Sequence, residues 1–466
     1  MNALRQRQGG AIAIMYALML PAVLGCIGLA LDLGICYLRR SQLQNAADSI
    51  ALGAAQALNG TPGGIAAAAD RAFRMSLGMR VGLSSELAWN SAALRFAGSP
   101  DAPESDWLPV YAAGPAAATL RYARVDMNVL DDATRYVQPV LMGVLGAGLD
   151  PVNLAPVVVA GPTAGNITPL AVCAMSNKAS DTRANPGNPE LIQYGFRFGV
   201  GYNLLELNPT GTGAGEYFYV DPMHVAGGDT TSFDETAVAP FMCTGTVGYA
   251  GFVNGKARLR RPGSFNLWQQ LNSRFGTYGG APACNPTAAP PDSNIRSYAG
   301  ASATWLTQPP TRLAARPGTA TGRLQTIADD PPPLSTATVP GDYGILWAYG
   351  PAKTPSGAPV ALAAFGALYP STPAGAIKGG TGYTSAGAYL SGGYSAAPPG
   401  TGRPKRRLLY IPLLRCPVAA GTQVEGDVVA IARFLLTAPA SATEVPAEFA
   451  GTVTDAALPA TIGLLR

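Results

Sequence analysis

The sequence predicts an α+β chain: a long N-terminal helix that crosses a membrane, a small antiparallel sheet beside it, then a larger β-rich ectodomain with long loops. Three observations predict it. The run AIAIMYALMLPAVLGCIGLAL, Ala11 to Leu31, is apolar throughout and about as long as a helix must be to span a bilayer core. Beyond Val81 the hydrophobic pattern shortens into alternating or β-branched pieces. Glycine (56) and proline (41) are abundant while only 13% of residues are charged, a composition of turns and surface loops.

The apolar run reads as a retained anchor. A cleaved secretory signal has a shorter apolar region and ends at a small-residue cleavage site. Here the run passes through Asp32, Leu33 and Gly34 into YLRRSQLQNAADSIALGAAQAL, which is strongly helical, so one helix of about 70 Å is expected from Ala11 to Asn59. Pro21 removes one backbone hydrogen bond inside it and predicts a mild kink. Beyond the bilayer, Leu38, Leu43, Ala46, Ala47, Ile50, Ala54 and Leu58 recur at helical spacing, with Gln42, Asn45, Asp48 and Gln56 largely opposite. The emerging helix therefore offers one apolar face to a partner. Gly60, Thr61 and Pro62 stop it, and a second helix is expected over Ile65 to Met79.

Asp32 has two readings, because an acid on a membrane helix is costly unless it is paired or interfacial. By depth it lies at the far edge of the bilayer, within reach of water. The sharper alternative pairs it with an arginine of a neighbouring subunit's helix.

From residue 81 to 159 the pieces SELAW, AALRF, LRYARVDMNVL and VNLAPVVVA predict a small antiparallel sheet crossed by a helix over TRYVQPVLMGVLGA. The loop GPTAGN closes this module near residue 165, so the expected organisation is 1–10 as a basic lead, 11–60 as helix, 61–165 as the small module and 166–466 as the β-rich domain. In that last part strands are expected at 167–175, 192–200, 216–220, 343–349, 359–365, 407–414 and 427–437, with a helix at 264–275 capped by Ser264. The Pro- and Gly-rich stretches 276–341 and 367–403 should be irregular.

Six cysteines divide by position. Cys26 and Cys36 lie in or beside the membrane helix and read as small apolar residues, whereas Cys173, Cys243, Cys284 and Cys416 lie in the β-rich part. None forms a CxxC pair and the chain has one histidine, which argues against structural zinc. Four separated cysteines behind a membrane anchor read as two disulfides in an oxidising compartment. Of three pairings, Cys243 with Cys284 closes the shorter loop and is preferred, leaving Cys173 with Cys416. Arg5 and Arg7 before the run balance Arg39 and Arg40 after it, so the cysteines decide the orientation: N-terminus cytoplasmic, ectodomain on the oxidising side.

A net charge of +4 and no basic run interleaved with aromatics exclude nucleic acid as the expected partner. Arg403, Lys405, Arg406 and Arg407 precede an apolar strand and read as its solvated entry, with a partner-binding patch as the alternative. Nucleophilic catalysis needs a base beside a Ser or Cys; His224, in VDPMHVAGG, has no such motif around it and reads as a surface or packing residue. The acid pairs Asp131-Asp132, Asp234-Glu235 and Asp329-Asp330 read as loop residues without a calcium ladder. No phosphate-cradling, dinucleotide or zinc-protease motif occurs, so no catalytic residue, cofactor or metal is expected.

The basic lead, the Gly before the small-apolar run, Pro21 within it, Asp32-Leu33-Gly34 and the tail Leu43-Gln44-Asn45-Ala46-Ala47-Asp48 together resemble the TadG-like and TadE-like proteins of bacterial Flp (Tad) pilus assembly. The resemblance runs loosely through LMGVLGAGLDPVNLAPVVVAGP, about the first third of the chain. It implies a pilin-like stem held in the inner membrane, a periplasmic C-terminal domain, and other pilus-assembly proteins as partners in an oligomer or heteromeric complex. In pilin-like members cut by a prepilin peptidase, a Glu followed by an aromatic stands five residues into the mature chain. Here the cut would fall between Gly10 and Ala11, and Met15-Tyr16 fills the Glu-Tyr place, so the expectation is an unprocessed, membrane-anchored assembly factor. The metal motif of a von Willebrand-type domain, found in some TadG-like proteins, is missing from the sequence. The alternative role is an adhesin or binding module displayed at a pilus tip.

Overall fold

The structure is a computed structural model and describes residues 9–82, 85–139, 141, 150–185, 187–209, 215–227, 231–248, 252, 255–298, 316–317, 324–325, 345–369, 387–391, 394–454 and 458–465. The chain forms two compact units, one of residues 1–163 with 461–466, the other of residues 164–460.

Unit one is organised by helix α1, Gly9–Ala57, which continues through Pro21. Its C-terminal part packs on α2, Pro62–Ser76, whose first turn is capped by the Thr61 hydroxyl accepting from Gly64 N–H. The contact is made of small residues: Ala47, Ile50, Ala51 and Ala54 meet Ile65, Ala68 and Ala72, all at most 3% exposed. Gly53 lets the Met75 thioether lie against the helix there, and a Cβ at 53, 2.1 Å from its sulfur, would force that side chain to move. The other side of α1 lies on a sheet with strands β1 (Leu94–Ala97), β2 (Leu108–Pro109), β3 (Tyr122–Asp126) and β4 (Val157–Gly165), ordered β4-β3-β1-β2, all antiparallel. Alternation places Leu94, Phe96, Ala123, Val125, Val158 and Ala160 in the core with Leu43 and Ile50, each such large side chain contributing about 1.5–3 kcal/mol on burial.

The far edge of this sheet, beside β4, is filled by the last strand, Ala460–Leu465. The helix expected over TRYVQPVLMGVLGA does not start at its first residues, although Leu141 further along is helical. Asp132–Arg135 make one turn and Tyr136–Val137 pair with Val152–Asn153; most of the remainder lies outside the described residues.

Unit two is built on a closed ring of strands. β5 (Leu170–Cys173), β7 (Tyr217–Val220), β8 (Lys256–Arg260), β9 (Leu408–Leu414) and β10 (Gln423–Leu436) pair in the circular order β5-β7-β8-β10-β9, with β6 (Gly201–Asn203) named here for its place outside the ring. All pairs are antiparallel except β9 with β5, where Leu413 faces Val172 and Leu414 faces Cys173. The period-two pattern fills this barrel with Ala171, Phe218, Val220, Ala257, Leu259 and Leu414, while Leu170, Val172, Tyr219 and Leu413 face the main outer core. The second half of β10 extends past the ring to pair with β11 (Pro446–Val453), and β11 pairs with β6. On this extension Phe196, Phe434 and Phe449 pack with centroids 5.3–5.5 Å apart.

Several expected elements differ. The helix expected at 264–275 is shorter, Trp268–Leu271 continuing as 3₁₀ to Phe275, and Ser264 bonds Asn266 rather than capping it. Of the strand expected at 359–365, only Pro359 makes a β-bridge, to Lys353, and Leu362–Leu368 are helical turns. Asp234 and Asp131 are helix caps, accepting from Ala237 N–H and Thr134 N–H, rather than loop acids; Asp329-Asp330 lie outside the described residues.

The largest correction concerns the basic cluster. Arg403 and Lys405 are exposed, but Arg406 is half-buried and Arg407 is 0% exposed. Arg407 sits against the faces of Phe275, Tyr298 and Tyr389 at 4.5, 5.2 and 5.4 Å, and its guanidinium donates to the carbonyls of Leu436, Asn294, Arg296 and Thr437. Burial pushes its pKa down to about 10, so it remains charged at neutral pH.

Two predictions follow from this architecture. Arg407→Met orphans four buried carbonyls and should cost about 3 kcal/mol or more, read as a lower urea midpoint, and Arg407→Lys should not restore it because an ammonium lacks the planar fork. Removing the Cys243–Cys284 bridge, which closes a separation of 41 residues, should cost about 2–4 kcal/mol, measured by comparing a Cys243→Ser/Cys284→Ser double variant with the oxidised chain.

Candidate functional site

The N-terminal half of α1 is bare. Ile14, Met15, Tyr16, Leu18, Met19, Leu20, Val23, Leu24, Ile27, Leu29, Leu31, Leu33, Ile35, Tyr37 and Leu38 are all large, apolar and 44–78% exposed. Pro21 and Gly34 are also exposed, and the helix is apolar and long enough to cross a membrane. Cys26 is exposed and Cys36 half-buried, both unbridged.

Along one line of the same helix burial begins early: Gly28, Asp32, Leu43, Ala46, Ala47 and Ile50 are buried, with Cys36 and Arg39 half-buried between them. Asp32 is only 5% exposed, which overturns its reading as a water-washed residue at the end of the span. Its Oδ1 accepts from Leu141 N–H at 3.2 Å, a contact within one chain. Depth along the apolar run could not reveal this, since the covering segment lies 109 residues away.

Above Asp32 the stem is bolted to unit one by polar contacts. Arg39 donates to the carbonyls of Ala133 and Thr134. Gln42 and Gly82 bond reciprocally, the Gly82 N–H reaching Oε1 at 2.7 Å and Nε2 reaching the Gly82 carbonyl at 3.5 Å. Gln42 was expected on the wet face, and no local pattern marks it as a bolt. Asn45 is exposed as expected, and half-buried Asp48 accepts from Gln44 at 2.7 Å, one turn earlier. The apolar stripe of Leu43, Ala46, Ala47, Ile50 and Ala54 is thus filled by the chain's own α2 and sheet.

In unit two, Cys173 is bridged to Cys416 and Cys243 to Cys284, with Cα separations of 5.6 and 5.5 Å. The first bridge joins the end of β5 to the residue pair beyond β9, fixing the parallel closure of the barrel. Glu216 lies beside that bridge, but two sulfurs bonded to each other offer no thiolate, so the three residues make no metal centre in this state. His224 is partly exposed, with Nδ1 3.3 Å from Oδ2 of buried Asp221, which also binds Arg258 at 2.9 Å. That arrangement orients the histidine ring against a buried carboxylate.

No curated protein and no solved structure matches the chain. One family model does, and its match ends where α1 ends rather than extending over the first third of the sequence. Residues 10–57, the bare stem and its packed continuation, match the model of the putative Flp pilus-assembly TadE/G-like family.

Proposed function

We propose that this protein is a non-enzymatic, membrane-anchored structural or assembly component of a Tad/Flp-type pilus or a related secretion apparatus. The observation that carries the reading is the coincidence of the matched segment with a helix that is bare over its first half and packed over its second. Such a stem has the same solvent in a bilayer and in a bundle of like stems, which is what a component working between membrane and fibre requires. Two disulfides in unit two favour an oxidising compartment for it, hence a cytoplasmic N-terminus and a periplasmic C-terminal domain in a bacterial inner membrane. With Met15 in the place of an acid, the anchor stays uncut.

Affinity purification of the detergent-solubilised chain should bring pilus-assembly proteins with it, from the inner-membrane fraction and at the mass of the uncut polypeptide. Recovery without such proteins would sink the assembly role, and a chain beginning at Ala11 would sink the uncut anchor.

Asp32 separates two ways of holding the stem. Asp32→Leu removes the acceptor of Leu141 N–H, should cost about 1–3 kcal/mol, and should speed hydrogen exchange at that amide. Asp32→Asn keeps an oxygen acceptor and should leave both exchange and partner recovery nearly unchanged. Loss of partners in the Asn variant with exchange unaltered would mean that the carboxylate serves a neighbouring chain instead.

A further inference from the structure

A cavity of about 610 Å³ opens in unit two between the loop that follows Phe275 and the turn that precedes β9. Its walls carry two aromatic rings, Phe275 and Tyr278, the prolines Pro290 and Pro291, the hydroxyl of Thr287 and the guanidinium of Arg403. The walls are fixed before any ligand arrives. Ser293 N–H donates to the Arg403 carbonyl at 3.0 Å and Arg403 N–H to the Pro291 carbonyl at 2.9 Å, zipping the two loops together. Tyr278 packs on the Cys243–Cys284 bridge and Ala289. Arg406 ties the base by donating to the carbonyls of Pro290, Cys243 and Thr244.

Behind this cavity three arginines surround one buried carboxylate. Arg274, 1% exposed, donates to the carbonyls of Arg406, Met242 and Leu271, and Arg406 and Arg407 likewise bond only carbonyl oxygens. None of the three makes an ion pair among the described residues. The carboxylate in their midst, Asp292, is taken up by Arg407 N–H at 2.8 Å and the Tyr389 hydroxyl at 2.7 Å. Asp292 offsets part of the cationic charge, opposing the lowering of the arginine pKa values by burial, and in a low-dielectric interior the remaining field reaches the nearest opening. At that opening stands Arg403, whose side chain has no hydrogen bond or ion pair among the described residues. The Tyr278 hydroxyl beside it is buried and also without a partner there.

We propose that this cavity binds an acidic saccharide, a sugar bearing a carboxylate, with the ring lying on Phe275 and Tyr278 and the carboxylate on Arg403. Flat ring and proline surfaces suit the C–H faces of a pyranose, Thr287 suits its hydroxyls, and Arg403, unbonded among the described residues, selects the acid. The enclosed volume fits a mono- or disaccharide unit better than an extended peptide, which takes a sheet edge or a long groove. The inference stands apart from the pilus reading: a chain that joined no fibre would still bind the sugar.

Isothermal titration of the full, detergent-solubilised chain with oligogalacturonate tests it, with neutral malto-oligosaccharide and polyglutamate as comparisons. Oligogalacturonate should bind, more weakly as salt is raised, and Arg403→Gln should weaken it by about 10- to 100-fold, because a charge-assisted contact is lost. Arg403 is exposed and its side chain bonds nothing among the described residues, so this variant should unfold at the same urea concentration as the parent. Absence of binding, equal affinity for the neutral sugar, equal displacement by polyglutamate, or unchanged affinity in Arg403→Gln would each overturn the proposal.

Discussion

From Ile14 to Leu38 the helix α1 presents large apolar side chains on nearly every side, and water cannot be what surrounds them. Each such side chain left wet forfeits about 1.5–3 kcal/mol, so the stem as a whole must be covered by lipid or by other helices. A rod so constrained fixes everything joined to it. Unit one has to hold a helix that is committed to another solvent only a few residues away, and it does so with two kinds of contact. Small residues let α2 approach closely at Gly53, and polar bolts at Asp32, Arg39 and Gln42 set rotation and height along the helix. The apolar face that the sequence offers to a partner is consumed internally, which leaves the bare stretch below it as the surface for association.

Much of this stem is legible in the residues themselves. The apolar run, the helical recurrence from Leu43 to Ala54 and the wet position of Asn45 are all local patterns, and local patterns survive in the fold. The cysteines are legible for a different reason, since four well-separated residues allow three pairings and the shorter loop, Cys243 with Cys284, is the one that closes. What is lost is whatever depends on distant partners. Arg407 looks like a solvated charge because the carbonyls and rings that bury it come from segments up to 132 residues away in the same cluster, as with Arg274 and the Arg406 carbonyl. Asp32 fails to read correctly for the same reason.

The strands missed from the sequence show a second kind of limit. KARLR at β8 reads as a charged stretch, yet Ala257 and Leu259 are the two residues that enter the barrel, while Arg258 and Arg260 reach Asp221 and the Phe233 carbonyl outside it. PAEFAGTV at β11 carries Pro, Glu and Gly, each a poor strand former, and it is held because β10 and β6 flank it on both sides. Strand propensity is largely packing on a pleated surface, and neither segment advertises the surface it will meet.

The chain order adds a consequence for how the molecule is made. β4 leaves unit one directly into unit two, and the partner that covers its open edge is the last strand of the chain, Ala460–Leu465. Everything from residue 164 to 460 is therefore inserted between two neighbouring strands of one small sheet. During synthesis the stem, α2 and the first four strands exist long before the fifth, with an unpaired edge on β4 throughout that interval, and unpaired edges invite wrong pairing. In unit two the barrel likewise waits on β9 and β10, more than two hundred residues after β5, and the Cys173–Cys416 bridge spans 243 residues to lock that late closure. Both units thus close only with strands from the C-terminal part of the sequence, long after the stem and the first four strands of its sheet have been made.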